Sequence, residues 1–480
     1  MARMLIKNGR IIDVYQNLNA IGEVLIHDGV IADIWTEGNS APKSESFGDQ
    51  VASVGMEGVT EALSIIDASG CIVCPGFIDL HAHLREPGYE DKETIETGTR
   101  AAAAGGFTTV CCMPNTSPAI DDAATLNFVL RTAESRASVR VLPIAAITKN
   151  REGLELTEMA ELARGGAVGF SDDGKPVASS RLMRYALDYS RMLDVPIIEH
   201  AEDADLAKGG VMNEGGIATR LGLKGIPAAA EEIAVARDIA LAELVDGRLH
   251  VAHVSTSGSV ELIRRAKERG VRVTAEVTPH HLTLTEEWVA GQRRSWGLMF
   301  PYWGPMPPYN TNTKVNPPLR TRADIAALVE GLKDGTIDAI ATDHAPHTVV
   351  DKQCEFDLAE SGIAGFETAL GSLLALVHRG EVDLEMLIAR LTTGPARVLG
   401  LPYGNLRPGS VADIVIFDPN EEWVVNPEAF ASKGRNTPLA GLGLRGRVVC
   451  TISRGKVVYS LENRTAAQLQ VGLPSVPEVQ

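Results

Sequence analysis

Eight apolar β runs alternate with helical stretches between Gly76 and Gly400, and this count restricts the fold more than any other feature of the 480-residue chain. The runs are FIDLHAH, TTVCCMPN, VRVLPIAAI, AVGFSDDG, PIIEHAE, HVAHVST, VRVTAEVTPHH and IDAIATDHAPH. Helix candidates such as Ala229–Val245, Ser259–Glu268 and Thr321–Lys333 separate them. Eight strand–helix repeats predict an α/β protein built on a closed (β/α)8 TIM-like barrel. Short β runs precede the barrel (MLIKNGRIID, GEVLIHDGVIADI, SIIDASGCIVCPG) and follow it (ADIVIFDPN, EEWVVNP, RVVCTISRGKVVYS). Neither set is large enough for a stable sheet, so the two are expected to pair into one small composite β-sandwich domain. The expected layout is residues 1–75 and 401–460 in that domain, 76–400 in the barrel and 461–480 as a tail. The polar, Gly/Ser-rich stretch from Thr36 to Thr60 reads as a long loop.

Charge narrows the partners. The formal net charge is −17, with no compensating basic stripe, which argues against a nucleic-acid backbone or an anionic membrane. No run approaches the roughly 18 apolar residues of a spanning helix, and the N-terminus lacks a secretory stretch, so a cytoplasmic protein is expected. Six cysteines in apolar or scattered positions read as thiols, not as a disulfide framework.

In such a barrel catalytic groups occupy the C-terminal ends of the strands. His81 and His83 end the first run, Asp172 and Asp173 the fourth, His200 the fifth, His253 the sixth and Asp343 the eighth. One histidine there would be unremarkable core or surface material; four together with strand-end aspartates at one rim point to a metal site. Nitrogen and carboxylate donors without thiolate favour zinc over manganese or iron. Six ligands exceed the need of one tetrahedral ion, so two metals sharing an acidic bridge are expected, with Asp172 or Asp173 as the bridge.

The segments PGFIDLHAHLREPG, CMPNT, FSDDG, HAED, HVAHVST, TAEVTPHHL, KVNPPLR and ATDHAPH resemble those of the dihydroorotases of the amidohydrolase superfamily, over most of the chain. The resemblance implies reversible cyclisation of N-carbamoyl-L-aspartate to dihydroorotate, a step of pyrimidine synthesis, on a small-molecule substrate. It implies two Zn2+ ions per subunit held by His81, His83, Asp173, His200, His253 and Asp343, with Asp173 as the bridge and Asp343 as the proton-transfer group. Many relatives use a carboxylated lysine instead; here the first lysine after the fourth run is Lys175, beyond Gly174. For the unreacting carboxylate of the substrate the resemblance offers Arg85, Asn115 and His347, alongside His83, Asn316 and the Ser361-Gly362 pair around the ring. The usual Pro-Phe-Gly at the last position reads Glu360-Ser361-Gly362. His280 and His281 are expected to pack and orient the rim. His27 and His378 fall outside it.

Other readings are an allantoinase or dihydropyrimidinase, from which Arg85 discriminates, and a silent scaffold of aspartate transcarbamoylase, for which a full ligand set argues poorly. A homo-oligomer is expected, and association with aspartate transcarbamoylase is compatible with activity. Residues 288–313 form an extended stretch with three of the five tryptophans, Trp288, Trp296 and Trp303. That much aromatic surface must pack on the barrel rim, a second subunit or a partner.

Overall fold

A computed structural model describes residues 3–36, 63–292 and 306–462. Most of the Thr36–Thr60 loop, the middle of the aromatic stretch and the tail from 463 onward lie outside the described residues.

The barrel strands are Phe77–Ala82, Phe107–Cys112, Arg140–Pro143, Ile197–Glu199, Leu249–Val251, Val273–Val277 and Ala339–Ile340. All pair in parallel, Val110 with Val141, Ile198 with His250 and Val277 with Ile340, and an Ala82–His344 bridge closes the ring. The strands are buried on both faces, which explains why they read as continuous apolar runs and not as alternation.

The fourth position departs from the expected strand. Only Phe170 of AVGFSDDG enters the ring, bridging Ala145 on one side and Ile197 on the other. Beyond it the Asp172 carboxylate accepts from the backbone N–H groups of Ile147 (2.9 Å) and Thr148 (3.0 Å) and from the Thr148 hydroxyl. These bonds draw the chain out of the ladder and onto the rim.

The predicted helices form with small shifts at their starts. Ala228–Val245 is one residue longer than read, Ser257–Glu268 begins behind the N-cap Thr256, and Arg322–Asp334 opens with a Thr321/Asp324 capping box. Each packs its apolar stripe on the barrel, with Val260, Ile263, Ile325 and Leu328 buried there.

The terminal segments join in one hydrogen-bonded sheet of eight strands, to which both ends of the chain contribute. Ile72–Pro75 is the seam: it pairs in parallel with Arg3–Asp13 and antiparallel with the C-terminal strand Ile414–Val424, placing Val73 opposite Ile416. The two runs ADIVIFDPN and EEWVV, read separately, are one strand with an irregular register between Asp418 and Glu422. Ile6, Ile11, Val24, Val73, Ile414 and Ile452 share its core, which unites both termini. A buried Arg140–Asp413 ion pair at 2.7 Å ties this domain to the barrel, with the guanidinium 3.7 Å from the Tyr403 ring centre.

Trp288 and Met306, at the two described ends of the aromatic stretch, are buried together with Leu284, Val315 and Leu319. The stretch is therefore anchored on its own barrel at both ends, and Trp296 and Trp303 lie outside the described residues.

Candidate active site

The six expected metal ligands converge at the C-terminal rim, where strand geometry brings them. His81 is in the first strand and His83 just past its end, on the same side because strand residues two apart share a face. Asp173 arrives from the turn after Phe170, His200 directly follows its own strand, and His253 and Asp343 lie two and three residues past the ends of theirs. All six are buried.

Asp173 lies at the centre. Its Oδ1 is 3.3 Å from His81 Nε2, 3.7 Å from His253 Nε2 and 3.8 Å from His200 Nδ1, and its Oδ2 is 3.7 Å from His83 Nε2. Asp343 Oδ1 approaches His83 Nε2 to 3.0 Å and His81 Nε2 to 3.7 Å. Two groups of potential ligands, His81/His83/Asp173 and Asp173/His200/His253, each have their donor atoms within 4.8 Å of one another, and they share only Asp173. Asp172 faces the other way, toward Ile147 and Thr148, and Lys175 is exposed.

The donor set fits a cation. His81 Nδ1 is 2.9 Å from the Glu276 carboxylate, which leaves Nε2, buried without a hydrogen-bond partner, directed at Asp173. His253 Nδ1 is also buried and unpartnered. Burial by itself would lower the pKa of His81, yet Asp173, Glu276 and Asp343 outweigh it and raise it well above the ordinary range. Burial likewise opposes charge on Asp173, and the His81 and His253 imidazoles reverse that and hold its carboxyl well below the carboxylate range. Electron pairs that draw in a proton this strongly will also draw in a divalent cation, and the two compete.

Above the ligands opens a cavity of about 420 Å3. His83, Arg85, Asn115, Asn316, His347 and the Ser361-Gly362 pair all line it, so every expected substrate contact faces one space. Asn115 accepts from His83 Nδ1 at 2.9 Å through its Oδ1 and donates from Nδ2 to Asp173 at 3.2 Å. Asn316 Nδ2 is 3.3 Å from His200 Nε2. Arg85 is half-buried, with Nη2 3.3 Å from His347 Nε2. Gly362 has φ +145°, and a Cβ there would meet Ala345 at 2.7 Å, so no larger residue fits this wall. Its N–H is already held by the Lys314 carbonyl at 2.9 Å. Arg85, His253 and Asp343 have φ of 62°, 32° and 46°, left-handed conformations that cost a non-glycine residue about 1–3 kcal/mol and persist where surroundings impose them.

Comparison with known proteins decides the family. Residues 70–259 match the "Dihydro-orotase-like" family model. A dihydroorotase of Pelotomaculum thermopropionicum is 51% identical over 457 residues, covering 95% of this chain and 98% of that protein. One from Syntrophus aciditrophicus is 48% identical, over 95% and 99% of the two chains. The chain belongs to the dihydroorotase family. Among solved structures, the L-hydantoinase (dihydropyrimidinase) of Arthrobacter aurescens superposes with a TM-score of 0.79 at 26% identity, covering 96% of both chains. Dihydroorotases of this kind therefore share the barrel and sheet of other cyclic amidohydrolases.

Several groups in this dihydroorotase-family site escape a reading by motif. Glu276 is completely buried and pairs with both His81 Nδ1 and His250 Nε2, the latter at 3.1 Å. Burial opposes its charge, but the two histidines bring its pKa down to about 2, so it is a carboxylate that orients His81. The signal was a lone glutamate inside the apolar run VTAEV. Glu276→Gln is expected to weaken metal affinity about 10- to 100-fold, the usual cost of losing a carboxylate behind a ligating histidine; titration of the apoprotein with Zn2+ measures it. Lys314 and Glu360 also line the cavity. His281 behaves as expected: it bonds Thr278 and the Pro317 carbonyl, at 2.8 and 3.0 Å, and so steadies the segment that carries Asn316. His27 and His378 are not among the cavity residues.

Proposed function

We propose that the chain interconverts N-carbamoyl-L-aspartate and dihydroorotate, using two Zn2+ ions bridged by Asp173. The observation that carries this reading is the presence, in one cavity, of two ligand triads sharing Asp173 and a facing wall of Arg85 and His347. Bound zinc supplies Lewis acidity and lowers the pKa of water, to about 7 in the well-known case.

The side chains divide the remaining work. Arg85 gives the substrate carboxylate a planar fork for bidentate pairing, and Asn115 and His347 add donors beside it. The Arg85 Nη2 to His347 Nε2 contact sets a guanidinium donor against an imidazole nitrogen that bonds the Ser361 carbonyl at 2.9 Å. A carboxylate oxygen placed against both would accept from Arg85 Nη2 and share the His347 Nε2–H with the Ser361 carbonyl. Asn316 and the Ser361-Gly362 wall confine the ring. Burial raises the pKa of Asp343, but His83 and His81 overcome that and keep it low, so it is ionised at neutral pH. In ring opening Asp343 accepts the proton of the attacking water as the amide C–N bond breaks and passes it to the departing nitrogen. In ring closure it takes a proton from the ureido nitrogen and returns it to the leaving oxygen.

A cytoplasmic homo-oligomer completes the proposal, with aspartate transcarbamoylase as the partner to test. All six cysteines are free, four of them buried, and no described helix is long and apolar enough to cross a membrane.

The decisive experiment compares ring opening of dihydroorotate, dihydrouracil and allantoin by the zinc-loaded protein. Dihydroorotate is expected to be preferred by a wide margin. Preference for either neutral ring would move the chain to the dihydropyrimidinase or allantoinase reading, and activity on none would favour a scaffold.

A further inference from the structure

His347 can serve the substrate carboxylate only as a donor, and a neutral imidazole donates from one nitrogen alone. Its Nε2 lies 2.9 Å from the Ser361 carbonyl oxygen, which can only accept, and 3.3 Å from Arg85 Nη2, which can only donate; the shorter contact gives Nε2 the proton. Its Nδ1 lies 3.4 Å from the Lys92 ammonium, which can only donate, so Nδ1 is bare. Burial lowers the pKa of His347 first, and the cations Arg85, Lys352 and Lys92 push it further, to about 2, so the ring is not doubly protonated. The carboxylate of Asp351 faces the same nitrogen at 3.8 Å, but it also binds Lys92 at 3.4 Å and the Thr348 hydroxyl at 2.8 Å. Lys92 is therefore held between Asp351 and the imidazole, with only 16% of its side chain exposed.

We infer that Lys92 is a positioning residue for the anionic end of the substrate: by occupying Nδ1 it fixes His347 as the Nε2–H tautomer, the form that donates beside Arg85. The inference rests on the proposed dihydroorotase reading and adds to it a residue that never touches the substrate. Without Lys92, the free Nδ1 would be open to protonation beside Asp351 or to the opposite tautomer, in which Nε2 faces Arg85 as a competing acceptor. The guanidinium would then bond the imidazole instead of the carboxylate. This is a specificity device: a ring lacking the carboxylate has no use for it.

The test uses the zinc-loaded full-length enzyme with Lys92→Met and Lys92→Arg. Lys92→Met keeps the length of the side chain and removes the donor. It is expected to raise KM for dihydroorotate about tenfold, the equivalent of one charge-assisted hydrogen bond, with kcat within about threefold and metal content unchanged. Lys92→Arg restores a cationic donor and is expected to recover most of the loss. Nitrogen NMR of 15N-histidine protein, with the His347 signal assigned by its absence in His347→Asn, is expected to show a bare Nδ1 in the parent and in Lys92→Arg, and a changed tautomer in Lys92→Met. An unchanged KM, a loss confined to kcat, failure of Lys92→Arg to rescue, or an unchanged nitrogen spectrum in Lys92→Met would each overturn the inference. Parent protein without dihydroorotase activity would instead overturn the functional reading beneath it, while the nitrogen spectra would still report on the Lys92–His347 contact.

Discussion

Asp173→Asn is expected to abolish turnover and to reduce bound zinc toward one ion per chain or none, whereas its neighbour Asp172→Asn is expected to bind zinc nearly as the parent does. The difference follows from where the carboxylates point. Asp173 is the only residue common to both ligand triads, with its two oxygens divided between His81 and His83. An amide there offers one weak oxygen donor in place of two anionic ones, and its NH2 group repels a cation. Asp172 instead receives two backbone N–H groups and the Thr148 hydroxyl in the buried layer below. Its replacement is expected to cost about 1–3 kcal/mol of stability through a donor set against donors. Metal analysis and thermal unfolding of both variants check the pair; normal zinc content in Asp173→Asn with loss in Asp172→Asn would shift the bridge by one residue. Bicarbonate is expected to have no effect on reconstitution, since Lys175 is exposed.

Asp343→Asn separates proton transfer from ligation. The asparagine keeps an oxygen near His83 but cannot take up a proton, so kcat is expected to fall by about 10²–10⁴, the range for loss of a general acid–base group. Zinc content is expected to stay close to the parent value because five other ligands remain. Steady-state kinetics on zinc-loaded protein measure it. A kcat within tenfold of the parent would reduce Asp343 to a ligand and assign the proton to another group.

These two aspartates also show what a sequence can and cannot disclose. Strand-end positions follow from the βα count, so the convergence of His81, His83, His200, His253 and Asp343 was readable before any coordinates. The choice between Asp172 and Asp173 came only from the family resemblance, because from the residues alone it depends on whether the chain after Phe170 stays in the ladder. The structure takes it out after a single bridging residue. Glu276 was hidden for a related reason: in a strand buried on both faces, periodicity does not say which side a polar residue occupies. Lys92 was hidden differently. In YEDKE it reads as one charge in a solvated loop, and only the tertiary approach of His347 and Asp351 gives it a partner. Conversely, Arg85, Asn115, Asn316, His347, Ser361 and Gly362 came from resemblance, and the cavity gathers all of them.

The seam strand Ile72–Pro75 imposes an order on synthesis. Val73 emerges from the ribosome early, yet its antiparallel partner Ile416 emerges only after every barrel element has been made. The hairpin of Arg3–Asp13 and Leu18–His27 can form at once from neighbouring residues. One side of Ile72–Pro75 meanwhile presents unpaired backbone groups, the kind of edge at which nascent chains stick to one another. Closing so long a loop is also slow. The nascent protein therefore depends on the barrel folding first to bring the two termini together, and chains truncated before Ile414 are left with that edge open to aggregation.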